Sequence, residues 1–388
     1  MGLSFIIKNF VFLKKRALKE KNDMIFTTQR SELLEAVQNL SRIVTKTSQP
    51  VLEGILISAE KGKITLVSYN LEMSMKKEIY ASTEVDGDIV ISARLLTEIL
   101  RKSDGVQVTI ESDDRLMCHI RSGNAVFDIM GMSAEDFPET PSVPETEKIS
   151  MPGGLLKDMV RGTLFAVATT EGSRPILTGL NITVQDGVAQ FIGIDGRRMG
   201  IRKENIGGNL NCNFVISGKA IGEATKIINN DEETVDIYIT KMLVSFKIDG
   251  YTLVSRLLEG VFVNYEKAIP KEFYQKLSVK TKDIIDIIER ISLVVNDRLT
   301  TPVRCSIGNP VSTFKCISAL GCATDTYETQ LEGPEFEIGI NAQYLLDALR
   351  ATESDEVKMS FKGGSEGFLI EPIEGDSFLY MVMPMRIK

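Results

Sequence analysis

The 388-residue chain has no tryptophan, one histidine and five cysteines, and each scarcity excludes something. With one histidine there is no HExxH pair, and no histidine-based triad is drawn. His119 lies in the alternating stretch "RLMCHIRS" and is read as a strand residue. Cys118, Cys212, Cys305, Cys316 and Cys322 are an odd, scattered set without CxxC spacing. They are read as reduced thiols rather than a disulfide framework or metal site. No GxxxxGK[ST] loop occurs, and no GxGxxG opens a helix after a strand. The paired glycines of "MPGGLLKDM" are read as a helix start, and Asp113 and Asp114 as solvated turn residues in "ESDDRL". An enzyme reading therefore lacks a converging set of ionisable residues, and no cofactor or metal is expected.

A basic excess is missing too. Forty-five Lys and Arg against 53 Asp and Glu leave a formal charge of -8. That argues against a protein that coats nucleic acid over its whole surface, but leaves room for a basic patch within an acidic shell. Long apolar runs are also absent. The opening "MGLSFIIKNFVFLKKRALKEKND" has an apolar patch too short to span a bilayer, with basic residues after it rather than before and no small-residue cleavage site. Residues 1–23 are read as a non-core extension, with amphipathic membrane contact as the alternative.

What the chain does contain is repetition. "GDIVISARLLTEILRKSDGVQVTI", "NFVISGKAIGEATKIINNDEETVDIYI" and "EFEIGINAQYLLDALRATESDEVKMSF" share one grammar: an apolar strand, a polar pair, an amphipathic helix, a turn and an alternating strand. They recur at roughly 125-residue intervals, far beyond solenoid periods, so each copy is a whole domain. "SELLEAVQNLSRIV", "GGLLKDMVRGTLFAV" and "TKDIIDIIERISLVV" read as opening helices, with Leu33, Leu34, Val37 and Leu40 at helical spacing in the first. Strand-rich stretches follow each. The expectation is an α+β domain of antiparallel hairpins with two helices per copy. Proline and charge interrupt the periodicity near "DFPETPSVPETEK" and "NYEKAIPKEF", which sets the expected domains at 24–146, 147–272 and 273–388.

Three similar domains in a row present the same helix faces at regular intervals, and such an arc closes into a ring if its ends pair with a second copy. The polar sides of the helices carry Arg30, Arg42, Lys46, Arg94, Arg101, Lys102, Lys157, Arg161, Lys219, Lys226, Lys282, Arg290 and Arg350, diluted by Glu32, Glu98, Glu223 and Glu289. One such face alone reads as solvated charge; recurrence in three copies favours a shared basic surface. Without interleaved aromatics it would touch duplex phosphates and not read bases.

"NLEMSM" at Asn70–Met75, "SARLL" at Ser92–Leu96, "DFP" at Asp136–Pro138, "IDGRRM" at Ile194–Met199, "YEKAIPK" at Tyr265–Lys271, "IGINAQYLLDAL" at Ile338–Leu349 and the terminal "MPMRI" occur in an order specific to one family. From Met24 to Lys388 the chain resembles the bacterial β sliding clamps, the processivity (β) subunit of the replicative DNA polymerase III. The resemblance implies three tandem DNA-clamp domains, sheets outside and helices inside, closing as a head-to-tail homodimeric ring around duplex DNA. It implies a non-catalytic cytoplasmic, nucleoid-associated protein that tethers the polymerase catalytic subunit, is handled by a clamp loader, and serves repair polymerases and other clamp-motif proteins. It also implies a partner-peptide pocket formed by Arg174, Leu177, Ile194, Gly196, Arg197, Arg198, Met199, Val263, Ala268, Asn341, Tyr344, Met381, Met383, Pro384, Met385 and Arg386. "MPMR" would be one wall, set against "IDGRRM". Lys46, Arg94 and Lys219 fall at DNA-facing positions, and Arg174 at the edge of both surfaces. The chain departs from the family pattern at Val263, Ala268, Glu171, Pro175 and Ile176, the last two standing where some members place DNA-contacting tyrosines. Leu299, beside an apparent one-residue insertion, is not assigned to the pocket. The alternative reading is a peptide-binding scaffold that does not encircle DNA.

Overall fold

The computed structural model describes residues 23–169, 174–295 and 301–387. Residues 1–22, and with them all but Asp23 of the expected 1–23 extension, lie outside the described residues, as do Glu171, Leu299 and Lys388. The chain divides into two compact units, one of residues 1–143 with 245–255 and the other of 144–244 with 256–388.

Among the described residues six α-helices form where the apolar spacing places them: α1 Arg30–Ser41, α2 Ala93–Lys102, α3 Gly153–Leu164, α4 Gly218–Ile227, α5 Thr281–Ile291 and α6 Ala342–Thr352. In α1, Leu33, Ala36, Val37 and Leu40 are buried on one face, as an i, i+3, i+4, i+7 stripe requires. The Ser92 hydroxyl accepts from Leu95 N at the start of α2. Arg30 donates from Nη1 to Leu100 O and from Nε to Gly105 O, so a cation occupies the negative end of α2 and satisfies a carbonyl the helix leaves free. At α6 the Asn341 side chain accepts from Tyr344 N at 3.0 Å, and Glu353 ends the helix in the left-handed region at φ 52°.

The first unit contains a five-stranded antiparallel sheet in the order 82–85, 24–29, 107–112, 117–122, 125–130. A second set runs 87–92, 54–60, 63–69, 73–80, and the strand Tyr251–Arg256 joins it, pairing Tyr251 with Lys77 through Ser255 with Met73. The Asn39 side chain of α1 donates to the Tyr251 hydroxyl at 2.9 Å, and Lys77 Nζ lies 4.3 Å from the same ring. A strand remote in sequence is thereby bound by backbone and side chain together.

In the second unit one eight-stranded sheet runs 212–217, 179–185, 188–194, 198–205, 378–382, 368–372, 356–361, 275–280. Its middle seam joins the second and third repeats: Arg198 pairs with Val382, Met199 with Met381, and so on to Arg202 with Phe378. A four-stranded sheet, 321–328, 311–318, 302–307, 336–341, completes the third repeat. α5 and α6 bury Ile284, Ile287, Ile288, Leu345, Leu346 and Leu349 in the core of that repeat. Alternation along Phe378–Val382 sends Tyr380 to this core and Met381 to the opposite face.

Among the described residues no helix is long and apolar enough to cross a membrane, and no cluster of three His, Cys, Asp or Glu side chains is placed to hold a metal ion. His119 is a strand residue whose Nδ1 lies 2.6 Å from Asp128 Oδ1 on the neighbouring strand.

Candidate functional site

The turn "IDGRR" between strands Val188–Ile194 and Arg198–Asn205 is built by one carboxylate. Asp195 Oδ1 accepts from Arg197 N at 2.8 Å and Arg198 N at 2.9 Å, and Gly196 occupies φ 87°, a conformation that L side chains rarely adopt. "NLEM" uses the same device in the first repeat, where Asn70 Oδ1 accepts from Glu72 N and Met73 N. Two of the family-bearing motifs are thus one physical object, a side chain that closes a hairpin.

Arg198 leaves that turn and crosses to the third repeat. Its Nε donates to Asp195 Oδ2 at 3.0 Å and its Nη1 to Asp347 Oδ2 of α6 at 2.5 Å, and its guanidinium sits 4.5 Å from the Tyr344 ring centroid. Gln343 donates to the other Asp347 oxygen at 2.7 Å. The chain end is fastened beside it, since Met383 N donates to Arg197 O and Met385 N to Gly339 O, each at 2.8 Å. A Cβ at residue 339 would lie 2.5 Å from Met385 O, so the close approach of the tail requires glycine there.

Beneath these polar ties lies an apolar floor. Leu177, Ile194, Met199 and Met381 are buried in one cluster with Ala168, Ile176, Ile192, Ile201, Val215 and Leu369. Val263 packs on it half-buried, with Leu258, Phe262, Tyr265, Ile269, Phe273 and Leu379. The Tyr265 hydroxyl accepts from Gln190 Nε2 at 2.8 Å, which holds the 257–274 segment against the sheet. Rim residues of the expected set are more open: Gly196, Arg197, Arg174 and Arg386 are exposed, Met383 is 38% exposed, and Pro384 and Met385 are half-buried.

The structure therefore gathers most of the expected pocket residues on one surface, with one difference. Ala268 is exposed at the end of a short 3-10 helix, and it is the larger Tyr265 and Ile269 that reach the cluster. Ile176, which departs from the family pattern where some members place a DNA-contacting tyrosine, is buried in the apolar floor. The path of a short turn decides this, and no period in the sequence encodes it. Asp195 and Asp347, which fix Arg198, are absent from the expected set; an Asx residue before a glycine is the available signal for the first.

Lys46 follows α1, Arg94 starts α2 and Lys219 starts α4, and all three are exposed. Among the described residues none of their side chains makes a hydrogen bond or ion pair. Arg101, Lys102 and Lys282 share that state, whereas five other cations of the helix faces are engaged: Lys157 with Asp231, Arg161 with Asp158 and Glu353, Lys226 with Glu223, Arg290 with Asp325, Arg350 with Glu289. In the third repeat the position of Arg94 and Lys219 is held by Gln343, neutral and bound to Asp347. α3 and α4 enclose a cleft of about 550 Å³ lined by Lys157, Arg161, Lys219 and Lys226, because Gly218 and Gly222 contribute no side chains to it.

Family models for the DNA polymerase III β subunit match in chain order: the N-terminal domain over residues 24–141, the central domain over 150–264 and the C-terminal domain over 266–386. The Bacillus subtilis β sliding clamp is 33% identical over 379 residues, spanning 94% of this chain and 100% of that protein. This chain belongs to the bacterial β sliding clamp family. A relative from Halalkalibacterium halodurans, also a β sliding clamp, is 31% identical over the same span. The crystal structure of the Bacillus subtilis sliding clamp superposes with a TM-score of 0.91 at 32% identity, covering 94% of this chain and all of that one. The fold is accordingly three tandem clamp domains with two helices each, and the function is that of a DNA polymerase sliding clamp, a non-catalytic processivity factor.

Proposed function

We propose that two copies of the chain close head to tail around duplex DNA and hold the replicative polymerase on it. The observation that carries this is a strand-pairing rule used twice. The strand Tyr251–Arg256 pairs with 73–77 of the preceding repeat, and Phe378–Val382 pairs with 198–202 of the preceding repeat. In each case the last strand of one repeat's sheet joins the third strand of the hairpin series before it. By the same rule, Ala125–Met130 in the first repeat and Gly321–Glu328 in the third are left over, each the outer strand of its sheet. Both are exposed edges. Val126 and Met130 are 61% and 65% exposed, and Leu293, Ile317 and Leu320 project in the third repeat. Open edges with apolar side chains are normally covered, and pairing one copy's first repeat with the other copy's third closes a two-fold ring.

On this reading the domains are 24–146, 147–272 and 273–388. Lys46, Arg94 and Lys219, which no carboxylate among the described residues neutralises, contact phosphates without sequence preference. The floor of Leu177, Ile194, Met199, Val263 and Met381, with the "MPMR" wall, takes short peptides from the polymerase catalytic subunit, the clamp loader, repair polymerases and other clamp-motif proteins. Methionines suit such varied ligands because their side chains repack. The protein works in the cytoplasm, on the nucleoid.

Retention on DNA tests the ring. After loading by a clamp loader, the protein is expected to persist on circular DNA and run off linear DNA. Equal loss from both would refute encirclement and leave the peptide-binding scaffold. Replacing Lys46, Arg94 and Lys219 by alanine should leave topological retention intact while lowering the salt slope of direct DNA binding by about 0.9 for each phosphate no longer neutralised.

A further inference from the structure

We infer that the outer edge of the strand Gln275–Lys280 is a further docking edge, which takes an extended, uncharged peptide as an added antiparallel strand. This edge is distinct from the outer strands assigned to ring closure and from the "MPMR" groove.

In an antiparallel pair, successive residues turn their backbone N–H and C=O alternately toward the neighbour and away from it. Thr281 N donates to Asp355 O just past the strand's end, while Lys276 exchanges both backbone bonds with Glu332 on the other side. Residues 275, 277 and 279 therefore bond the strand Glu356–Phe361, and residues 276, 278 and 280 face outward. Glu332 covers Lys276, and Lys280 N donates to the Tyr327 hydroxyl at 3.2 Å. Between them, Ser278 N and O have no partner among the described residues. They open on a cleft of about 990 Å³ lined by Ser278, Val311, Tyr327, Gln330 and Lys358.

The first repeat shows what fits such an edge. Counted back from the helix that follows, Ser278 corresponds to Thr27 and Lys276 to Ile25. There the chain's own segment Ser82–Val85 lies on the edge, pairing Ile25 with Val85 and Thr27 with Ser82. The third repeat keeps the pairing of Lys276 with Glu332 and loses the next one. Its covering segment is drawn to another turn. Thr329 N donates to Pro310 O and Thr329 Oγ1 to Gly308 O, and the Asn309 side chain exchanges two bonds with the backbone of Leu331.

An open strand edge is a template for another chain, and an added strand is held by main-chain bonds while alternate side chains set the preference. A residue opposite Ser278 shares its exposed face, and its neighbours point to the side of Leu277 and Val279, both buried in the core. Ser82–Val85 has this alternation, with Ser82 and Glu84 exposed and Thr83 and Val85 half-buried. Lys276 and Lys358 against Glu328 and Glu332 leave the cleft without net charge. The occupant is therefore an uncharged segment that alternates apolar and small polar residues.

The test is NMR of the nitrogen-labelled full-length protein with a capped Thr-Val-Ser-Val-Thr peptide, and with the same peptide N-methylated at its serine. At millimolar peptide the Ser278 amide should move downfield and exchange about tenfold more slowly, and N-methylation should remove both effects. Ser278→Pro deletes an outward N–H at an edge position, where proline is tolerated. The fold should hold while affinity, read at the Gln330 amide, falls by about five- to tenfold. An unmoved Ser278 amide, or equal binding by Ser278→Pro, would overturn the inference. So would shifts confined to Leu177, Met199 and Met381, which would put the peptide in the "MPMR" groove instead. A rise in mass that Ser278→Pro reverses would give the edge to a further copy of the chain, and would overturn it too.

Discussion

Replacing Arg198 by alanine removes a side chain that joins the "IDGRR" turn to α6. The guanidinium is 11% exposed and contacts Asp195 and Asp347, themselves 13% and 24% exposed. At an effective dielectric near 20, each close charge pair is worth about 4 kcal/mol before desolvation is counted. Removing one partner of a fully buried pair typically costs about 3–5 kcal/mol, because the remaining charge is left uncompensated. Partial solvent access at Asp347 reduces that, so about 2–3 kcal/mol is expected here. A multidomain chain of this length does not yield one unfolding free energy. The assay is therefore amide hydrogen exchange in α6 and the strand Phe378–Val382, which reads local opening. Protection in both should fall by about 30- to 160-fold in Arg198→Ala. Arg198→Lys should recover only part, since a lysine neither bridges both carboxylates nor stacks flat on Tyr344. In a double-mutant cycle with Asp347→Ala, a coupling of about 1–2 kcal/mol is expected. Unchanged exchange in Arg198→Ala, or a coupling near zero, would refute the idea that this arginine fastens the turn to the helix.

Two further outcomes follow from the edge strands and the acid–base pairs. Val126→Asp places a charge on the exposed edge strand Ala125–Met130, and Leu293→Asp one on the 3-10 turn Ser292–Val294 packed beside the outer strands of the third repeat, so light scattering should report a shift from dimer to monomer with the secondary structure unchanged; an unaltered mass for both would count against closure through these two edges. Lys63 and Lys76 hydrogen-bond Glu78 and hold its carboxyl down from 4.5 to about 2. The folded chain thus favours the ionised form more than the unfolded chain does. The resulting stability is full above pH 4.5 and fades as pH falls toward 2, so Glu78→Gln should flatten the acid limb of the unfolding curve in that window, and an unshifted limb would sink the assignment.

The sequence by itself determined the triplication, the six helices and the hairpin character of the rest. Those are local properties: Leu33, Val37 and Leu40 lie on one face of a helix whatever surrounds them, and a strand such as Phe378–Val382 is legible from its run of apolar residues. The motif "IDGRRM" was legible because an Asx-Gly turn is made by residues adjacent in sequence. What Arg198 holds was not, because Asp347 is 149 residues away and only the fold brings the two within hydrogen-bond reach. The same is true of Tyr265 and Ile269 replacing Ala268 at the floor, and of Ile176 turning inward. Side-chain direction in an irregular loop depends on the backbone path, and no repeat period encodes it. Charge divides along the same line. The sequence counts thirteen cations on or beside the helix faces, but only tertiary placement decides which of them meet a carboxylate and which, like Lys46, Arg94 and Lys219, remain available to a phosphate.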